Sequence, residues 1–495
     1  MDPFARRRAG LLLHLASLPG PGPVGTLGPE AHRFLELLAG AGQTVWQMLP
    51  VGPTHADGSP YQCLSDHAGN PAFLDPRPLA EAGWLRPEEA GPGFLERAWE
   101  GFRHRAGPED LAAWEAFRVA EGWWLEDYAL FMALREAQGG RPWWEWPEPL
   151  RRREPGALER SRGELAEALE RRRFEQFLFH RQWEALRAAA RSRGILLFGD
   201  LPVFVAHDSV EAWTRPELFK LDAEGRPEVV AGVPPDYFSA TGQRWGNPVY
   251  RWEALAAEGY RWWIRRLESQ LRRFDLVRID HFRGFEACWE IPAHEPTAQA
   301  GRWVPGPGDA LFEALERHLL QRGPGGGAGR GGRLPVVAED LGLVTPEVEA
   351  LRRRHGLPGM KVLQFAFGGG ADNPYLPHRH EPEAVVYTGT HDNDTTLAWY
   401  ETLGPAARAH LEAYLPEARP GAGLPMPWPL IRAALASVAV LAVLPVQDVA
   451  GLGAGHRLNR PGTRVGNWRW RLRWEWLGEE ALRRLRELTE LYGRA

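Results

Sequence analysis

Four carboxylates stand where short hydrophobic runs stop. Asp200 closes Leu196-Leu197-Phe198-Gly199-Asp200, Asp280 closes Asp275-Leu276-Val277-Arg278-Ile279-Asp280, and Glu339 follows Val336-Val337-Ala338. Asp392 follows a run from Ala384 to Thr388, and a fifth acid, Asp448, follows another from Val438 to Val446. A strand that delivers a charge into an enclosed space is costly unless that charge is paired or used. Arg278 and Asp280 are two residues apart, so a strand points both to one side, where the guanidinium holds the aspartate ionised and able to attack as a nucleophile. Glu339 has no arginine at the matching offset, and its apolar setting raises its pKa toward that of a proton-donating acid. Two carboxyl groups pushed apart in this way make a glycosidase-type pair of nucleophile and acid/base. One strand-end acid is as readily a helix cap; four of them on four runs are not accounted for that way.

A metal reading of the same residues is weaker. Asp392-Asn393-Asp394 looks like the start of a calcium loop, but the glycine at its sixth position and the glutamate at its twelfth are missing. His281 and His391 sit beside aspartates without a second histidine or a cysteine pair at ligand spacing. They suit hydrogen bonding to substrate hydroxyls, so neither a metal nor any other cofactor is expected.

The elements that must position these acids recur along the chain. Eight apolar or β-branched runs end in turn or polar residues, at 10–15, 44–49, 195–200, 275–280, 335–339, 361–367, 384–388 and 438–446. Helical patterns at 30–38, 262–274, 311–321 and 346–354 separate several of them, which predicts an α/β chain folded as a (β/α)8 TIM barrel over residues 1–495. In such a barrel the chemistry lies at the carboxyl ends of the strands, where these acids fall. The gap at about 50–194 predicts an inserted subdomain, largely helical from about 110. Residues 204–251, rich in Pro, Gly and aromatics, predict an irregular loop over the catalytic face. Residues 322–333 are Gly-rich but lack a Gly-Lys-Ser/Thr ending, so they read as a surface loop and not a phosphate cradle.

Composition narrows the classes. Apolar residues make up 44% and charged residues 25%, with 55 Gly and 43 Pro, which excludes collagen-like and wholly disordered chains. A net charge of -5 leaves no basic excess for nucleic acid or an anionic membrane. Two cysteines cannot build a disulfide framework, which suits a cytoplasmic protein. Arg6-Arg7-Arg8 before Leu11-Leu12-Leu13 imitates a secretory leader, but His14 interrupts the apolar run and no small-residue cleavage site follows. The run from 433 to 446 is shorter than the ~20 residues a spanning helix needs. The 23 tryptophans suit core packing and stacking on sugar rings alike.

Longer motifs carry a resemblance. They include Leu13-His14-Leu15-Ala16-Ser17-Leu18-Pro19-Gly20, Trp46-Gln47-Met48-Leu49-Pro50-Val51-Gly52-Pro53, Ser59-Pro60-Tyr61-Gln62, Gly232-Val233-Pro234-Pro235-Asp236-Tyr237-Phe238-Ser239 and Gly242-Gln243-Arg244-Trp245-Gly246-Asn247-Pro248. Arg278-Ile279-Asp280-His281-Phe282-Arg283-Gly284, Ala338-Glu339-Asp340-Leu341-Gly342, Thr390-His391-Asp392-Asn393-Asp394 and Asn467-Trp468-Arg469-Trp470 complete them. Almost end to end, the chain resembles the amylomaltases, the 4-α-glucanotransferases of the α-amylase clan.

The resemblance implies a barrel with inserted subdomains and no separate C-terminal β-sandwich. It implies Asp280 as nucleophile, Glu339 as acid/base and Asp392 as the third carboxylate, with Tyr61, Asp200, Asp236, Trp245, Asn247, Arg278, His281 and His391 binding substrate or supporting the acids. It implies transfer between α-1,4-glucans and maltooligosaccharides, by a retaining double displacement, in a monomer or weak homo-oligomer. A glucan long enough to bend back would give large rings. Three features depart from the family pattern: the Gly-rich segment, Cys63-Leu64 after Ser-Pro-Tyr-Gln, and Arg460 in Asn459-Arg460-Pro461-Gly462-Thr463. An α-amylase-type hydrolase would use the same carboxylates, a metal-dependent barrel enzyme would need a metal ion, and a non-catalytic glucan-binding protein would not need these acids.

Overall fold

A computed structural model describes residues 2–235, 239–320, 332–463 and 465–495. Its strands, in chain order, are β1 (Arg8–Leu12), β2 (Val45–Gln47), β3 (Leu196–Leu201), β4 (Val229–Val233), β5 (Gln243–Pro248) and β6 (Leu276–Ile279), then β7 (Ala287–Pro292), β8 (Arg302–Pro305), β9 (Val336–Ala338), β10 (Gly359–Val362), β11 (Ala384–Tyr387) and β12 (Leu441–Pro445). Eight of them form one parallel sheet in the order β10-β11-β12-β1-β2-β3-β6-β9. The bond from Ala338 N to Pro358 O, 2.9 Å, draws its two ends together, so the sheet nearly closes into a barrel.

Every run expected to be a barrel strand overlaps one of these eight. The sixth stops early, at Val362, where the chain turns into the 3-10 segment Leu363–Phe365. The barrel's inner core holds Leu12, Val45, Phe198, Leu276, Val337, Met360, Val362, Val385, Tyr387, Leu441 and Val443. Because side chains alternate along a strand, the residue two beyond Phe198 is Asp200, two beyond Leu276 is Arg278, and two beyond Val337 is Glu339. The polar site thus continues the inward rows of the core at their carboxyl ends. Gly199, between two inward residues, faces out; a Cβ there would run into the Phe274 ring.

Helices cover the outside. Pro29–Gly40 begins with proline at its first turn, where no N–H is needed, and buries Ala31, Phe34, Leu35 and Leu38, one face of the helix. Arg261–Arg273, Asp309–Leu319 and Pro346–Arg354 form where periodicity placed them. Between β2 and β3 lie several helices, including Phe94–Arg105, Pro108–Ala137 and Ala166–Ser192.

Residues 204–251 are more regular than their composition suggests. They supply β4 and β5 to a second, antiparallel sheet in the order β5-β4-β7-β8. β4 pairs with β7, which lies beyond Asp280, and β5 carries Gly246 at φ 87 and ends in Pro248. Pairing this distant, on strands without alternation, leaves no local trace. After Asn467 the chain holds a 3-10 turn and the helix Glu479–Leu491. No helix among the described residues is long and apolar enough to cross a membrane. Residues 322–331 of the Gly-rich segment lie outside the described residues.

Candidate active site

β3 and β6 pair with Asp200 opposite Arg278. The guanidinium Nη1 donates to both oxygens of Asp200, at 2.9 and 2.7 Å, while Nη2 donates to Asp280 Oδ1 at 2.6 Å. Asp200 is buried, 1% exposed, whereas the Asp280 side chain is 29% exposed and reaches the mouth. Burial pushes the Asp200 carboxyl up and Arg278 opposes it. Burial disfavours the charge on Arg278 itself, but Asp200 and Asp280 reverse this and hold the guanidinium protonated.

Glu339 stands one residue beyond the last paired position on the neighbouring strand, where Ile279 faces Ala338. Its backbone N–H donates to Ile279 O at 3.0 Å, so Asp280 and Glu339 sit side by side on the rim. Its two carboxyl oxygens accept from His281 N at 2.7 Å and Leu341 N at 2.9 Å. Burial, opposed by Arg278 and reinforced by the negative charge of Asp280, lifts this carboxyl to about 7. His281 makes its contact from a left-handed backbone, φ 50. A non-glycine residue held there is strained and persists where surrounding structure fixes it. The His281 ring meets Trp245 edge to face at 4.8 Å, and burial lowers its pKa to about 4. Asp340, the next residue along, is locked behind the rim by Met360 N at 2.7 Å and by the Arg352 guanidinium at 3.1 Å.

Across the mouth, Tyr61 joins the two sides. Its hydroxyl donates to Asp200 Oδ2 at 2.7 Å and lies 2.8 Å from His391 Nε2. Its ring stacks on the imidazole at 5.3 Å. Since that hydroxyl proton goes to Asp200, His391 must donate through Nε2. His391 Nε2 also lies 3.3 Å from Asp392 Oδ2. The loop bearing Asp392 is fastened at both ends by Asp448, which accepts from Thr388 Oγ1 at 2.6 Å and from Thr396 N and Oγ1 at 2.7 and 2.6 Å. The fifth strand-end acid is therefore a structural latch.

Three contributors were given no role by the sequence reading. Asn459 Nδ2 donates to Asp392 Oδ1 at 2.6 Å, and Arg457 Nη2 donates to the Asp392 carbonyl. Trp468, φ 64, sets its ring 5.9 Å from Tyr61 and 6.2 Å from His391. All three come from the loop after β12, whose lack of hydrophobic patterning gave no sign of their contacts; Trp468 lies in a motif of the resemblance, but its strained backbone and its place beside Tyr61 are visible only in the structure. Asn247 is buried and committed to the protein, donating to Val205 O at 2.8 Å and accepting from Gln62 Nε2 at 3.1 Å. Asp236 lies outside the described residues. No cluster of three or more His, Cys, Asp or Glu among the described residues is arranged to hold a metal ion.

This arrangement can protonate one oxygen, present a carboxylate beside it, and hold hydroxyls with the third acid. A family model described as 4-alpha-glucanotransferase matches residues 13–475. The chain belongs to the 4-alpha-glucanotransferase family. The curated 4-alpha-glucanotransferase of Thermus thermophilus is 53% identical over 98% of both chains, and that of Synechocystis is 45% identical over 99% of this chain and 98% of its own. Among solved structures, amylomaltase from Streptococcus agalactiae in complex with acarbose superposes with a TM-score of 0.92 at 35% identity, covering 99% of this chain and 100% of that one. As a 4-alpha-glucanotransferase the chain is an enzyme, and the reading as a non-catalytic binder falls away. The activity that this membership carries is that of a 4-alpha-glucanotransferase.

Proposed function

We propose that the transfer proceeds by retaining double displacement at Asp280 and Glu339. One observation carries this reading: two carboxyl groups side by side on the rim, one bonded to a guanidinium and the other lifted to about 7. Arg278 occupies Oδ1 of Asp280, which leaves Oδ2 to attack the anomeric carbon while Glu339 gives its proton to the leaving glycosidic oxygen. The C–O bond to the leaving fragment breaks as the bond to Asp280 forms. Glu339, now ionised, takes the proton of an incoming 4-hydroxyl, whose oxygen displaces Asp280 and restores the α-bond. Asp392, oriented by Asn459, binds hydroxyls of the sugar under attack. No cofactor enters the cycle.

An acceptor must outrun water at about 55 M, and a well-oriented bound hydroxyl reaches effective molarities of about 10⁵ M or more. Tyr61, Trp468 and Trp245 are placed to provide that orientation for glucose or a maltooligosaccharide. A donor long enough to bend back would fill the acceptor site itself and close into a large ring. We assign 204–251 to the groove on this face and 50–194 to an inserted subdomain that lends Tyr61 to the mouth. The acarbose held by the Streptococcus agalactiae amylomaltase supports a neutral, sugar-like occupant.

The test is incubation with maltotriose and with a 5-fluoro glycosyl fluoride. The expected results are a ladder of longer oligosaccharides at constant reducing ends, and a covalent mass increase that peptide mapping places on Asp280. Rising reducing ends without longer products, or a label on another residue, would overturn the reading.

A further inference from the structure

At the far end of the barrel, away from the rim, lies a cavity of about 350 Å³, within the roughly 300–1,000 Å³ range of small-ligand sites. Its walls come from the segment entering β12, the helices Pro405–Tyr414 and Trp428–Ala436, and the end of the C-terminal helix. Val438 and Ser437, in its wall, precede β12, so it opens on the amino-terminal face. At roughly 3.3 Å per residue, the five residues of β12 put it on the order of 15 Å or more from the catalytic carboxylates.

Its chemistry is two-sided. Leu415, Ala433, Ala436 and Val438 form an apolar floor, and Val438 is 53% exposed although apolar. Opposite are groups already fixed by their neighbours. Arg432 donates through Nη1 to Glu417 at 2.8 Å and through Nε to the Tyr492 hydroxyl at 3.0 Å. The Tyr414 hydroxyl accepts from His378 N at 3.1 Å and lies 3.0 Å from His378 Nδ1. Nη2 of Arg432 and the proton of the Tyr492 hydroxyl remain to be given. Glu417 neutralises the one guanidinium in the lining, so the site has no excess charge with which to select an anion. An apolar wall of Leu415, Ala433, Ala436 and Val438 beside fixed, neutralised donors and acceptors matches a pyranose ring, which has an apolar face and a rim of hydroxyls.

We propose that this cavity is a second glucan site, holding one or two sugar rings of an α-1,4-glucan outside the catalytic groove. It would tether a long donor or acceptor without taking part in bond exchange. Short substrates cannot span both sites, so their turnover is independent of it.

The experiment compares wild type with Tyr492→Ala and Val438→Phe, the second filling the mouth without removing a polar contact. Retardation in native gels containing amylose, and kcat/KM on maltotriose, are measured for each. The expected result is an apparent Kd for amylose raised about fivefold or more, with maltotriose turnover unchanged. Unchanged retardation in Val438→Phe enzyme that retains wild-type turnover of maltotriose would overturn the proposal. Should Tyr492→Ala fail to fold, Val438→Phe decides alone. Loss of maltotriose turnover in a folded Val438→Phe variant would also overturn the site's separateness, while leaving the mechanism at Asp280 and Glu339 untouched.

Discussion

Replacing Glu339 by Gln turns its lifted pKa into a stability measurement. The carboxyl moves from 4.5 to about 7 on folding, and at about 1.4 kcal/mol per unit this corresponds to about 3 kcal/mol of folded-state cost once it is ionised. Water at the mouth screens part of this, which leaves about 2 kcal/mol. The folded state holds the proton more tightly than the unfolded chain, so Glu339 is harmless below pH 4.5 and increasingly destabilising as pH rises to about 7. Glutamine never ionises, but both carboxyl oxygens accept backbone N–H bonds, and an amide nitrogen cannot. The variant therefore carries a constant penalty of about 1–3 kcal/mol for one unpaired N–H. The quantity to measure is the difference in unfolding free energy between variant and wild type, by urea at pH 4.5, 6 and 8.5. It should shift in the variant's favour by about 2 kcal/mol across that range. In parallel, wild-type kcat/KM on maltotriose should fall above an apparent pKa of about 7, a value that belongs to the Asp280–Glu339 pair jointly. A stability difference independent of pH would refute the argument, because Glu339 would then ionise as an ordinary glutamate and lose its basis as the proton donor.

Asp280→Asn should lower kcat roughly 10⁴-fold or more with little change in melting temperature, since Arg278 keeps Asp200 as a partner; maltotriose turnover and calorimetry decide it. Asn459→Ala removes the donor to Asp392 and should cost about 1.5–3 kcal/mol, roughly 10- to 100-fold, in kcat/KM, with an unchanged pH profile separating it from Glu339 variants. Asp448→Ala strands the Thr388 and Thr396 donors and should destabilise the fold by about 1–3 kcal/mol per unsatisfied group, read by urea unfolding, with activity lost in proportion to the disorder of the Asp392 loop. Chelator treatment should leave maltotriose disproportionation unchanged; a loss restored by added metal would overturn the metal-free mechanism.

The barrel was legible because strands buried on both faces read as continuous apolar runs, and the facing of its acids because side chains alternate along each strand. A strand of β-branched residues that ends in Asp or Glu announces its orientation in any sequence, and Leu276, Arg278 and Asp280 share one face whatever surrounds them. The split between Asp280 and Glu339 was legible for the same reason, since the offset of two shows an arginine in one strand and a valine in the other. The role of Asp448 was not legible, because nothing local distinguishes an acid that faces substrate from one that faces Thr388 and Thr396. The antiparallel sheet was hidden by distance along the chain, and the contacts of Asn459 with Asp392 and of Trp468 with Tyr61 by lying in a loop, where position depends on tertiary contacts and not on pattern.

One guanidinium accounts for much of the division of labour. Arg278 lies in register with Asp200 and two residues before Asp280, so it sits beneath two carboxylates and bonds both. On the adjacent strand the residue in register with Arg278 is Val337, which places a hydrocarbon two residues before Glu339. The same pleat that brings the guanidinium into a hydrogen bond with Asp280 leaves Glu339 without such a bond, so the Arg278 charge opposes the burial of Glu339 only from a distance. The remaining donors to Glu339 are backbone N–H groups, which favour the ionised form but do not overcome burial. His281 supplies one of them only because its backbone turns left-handed directly after Asp280. The different settings of Asp280 and Glu339 thus follow from one strained turn and one arginine, and under the proposed mechanism any substitution that relaxes the turn should disturb proton transfer before it disturbs substrate binding.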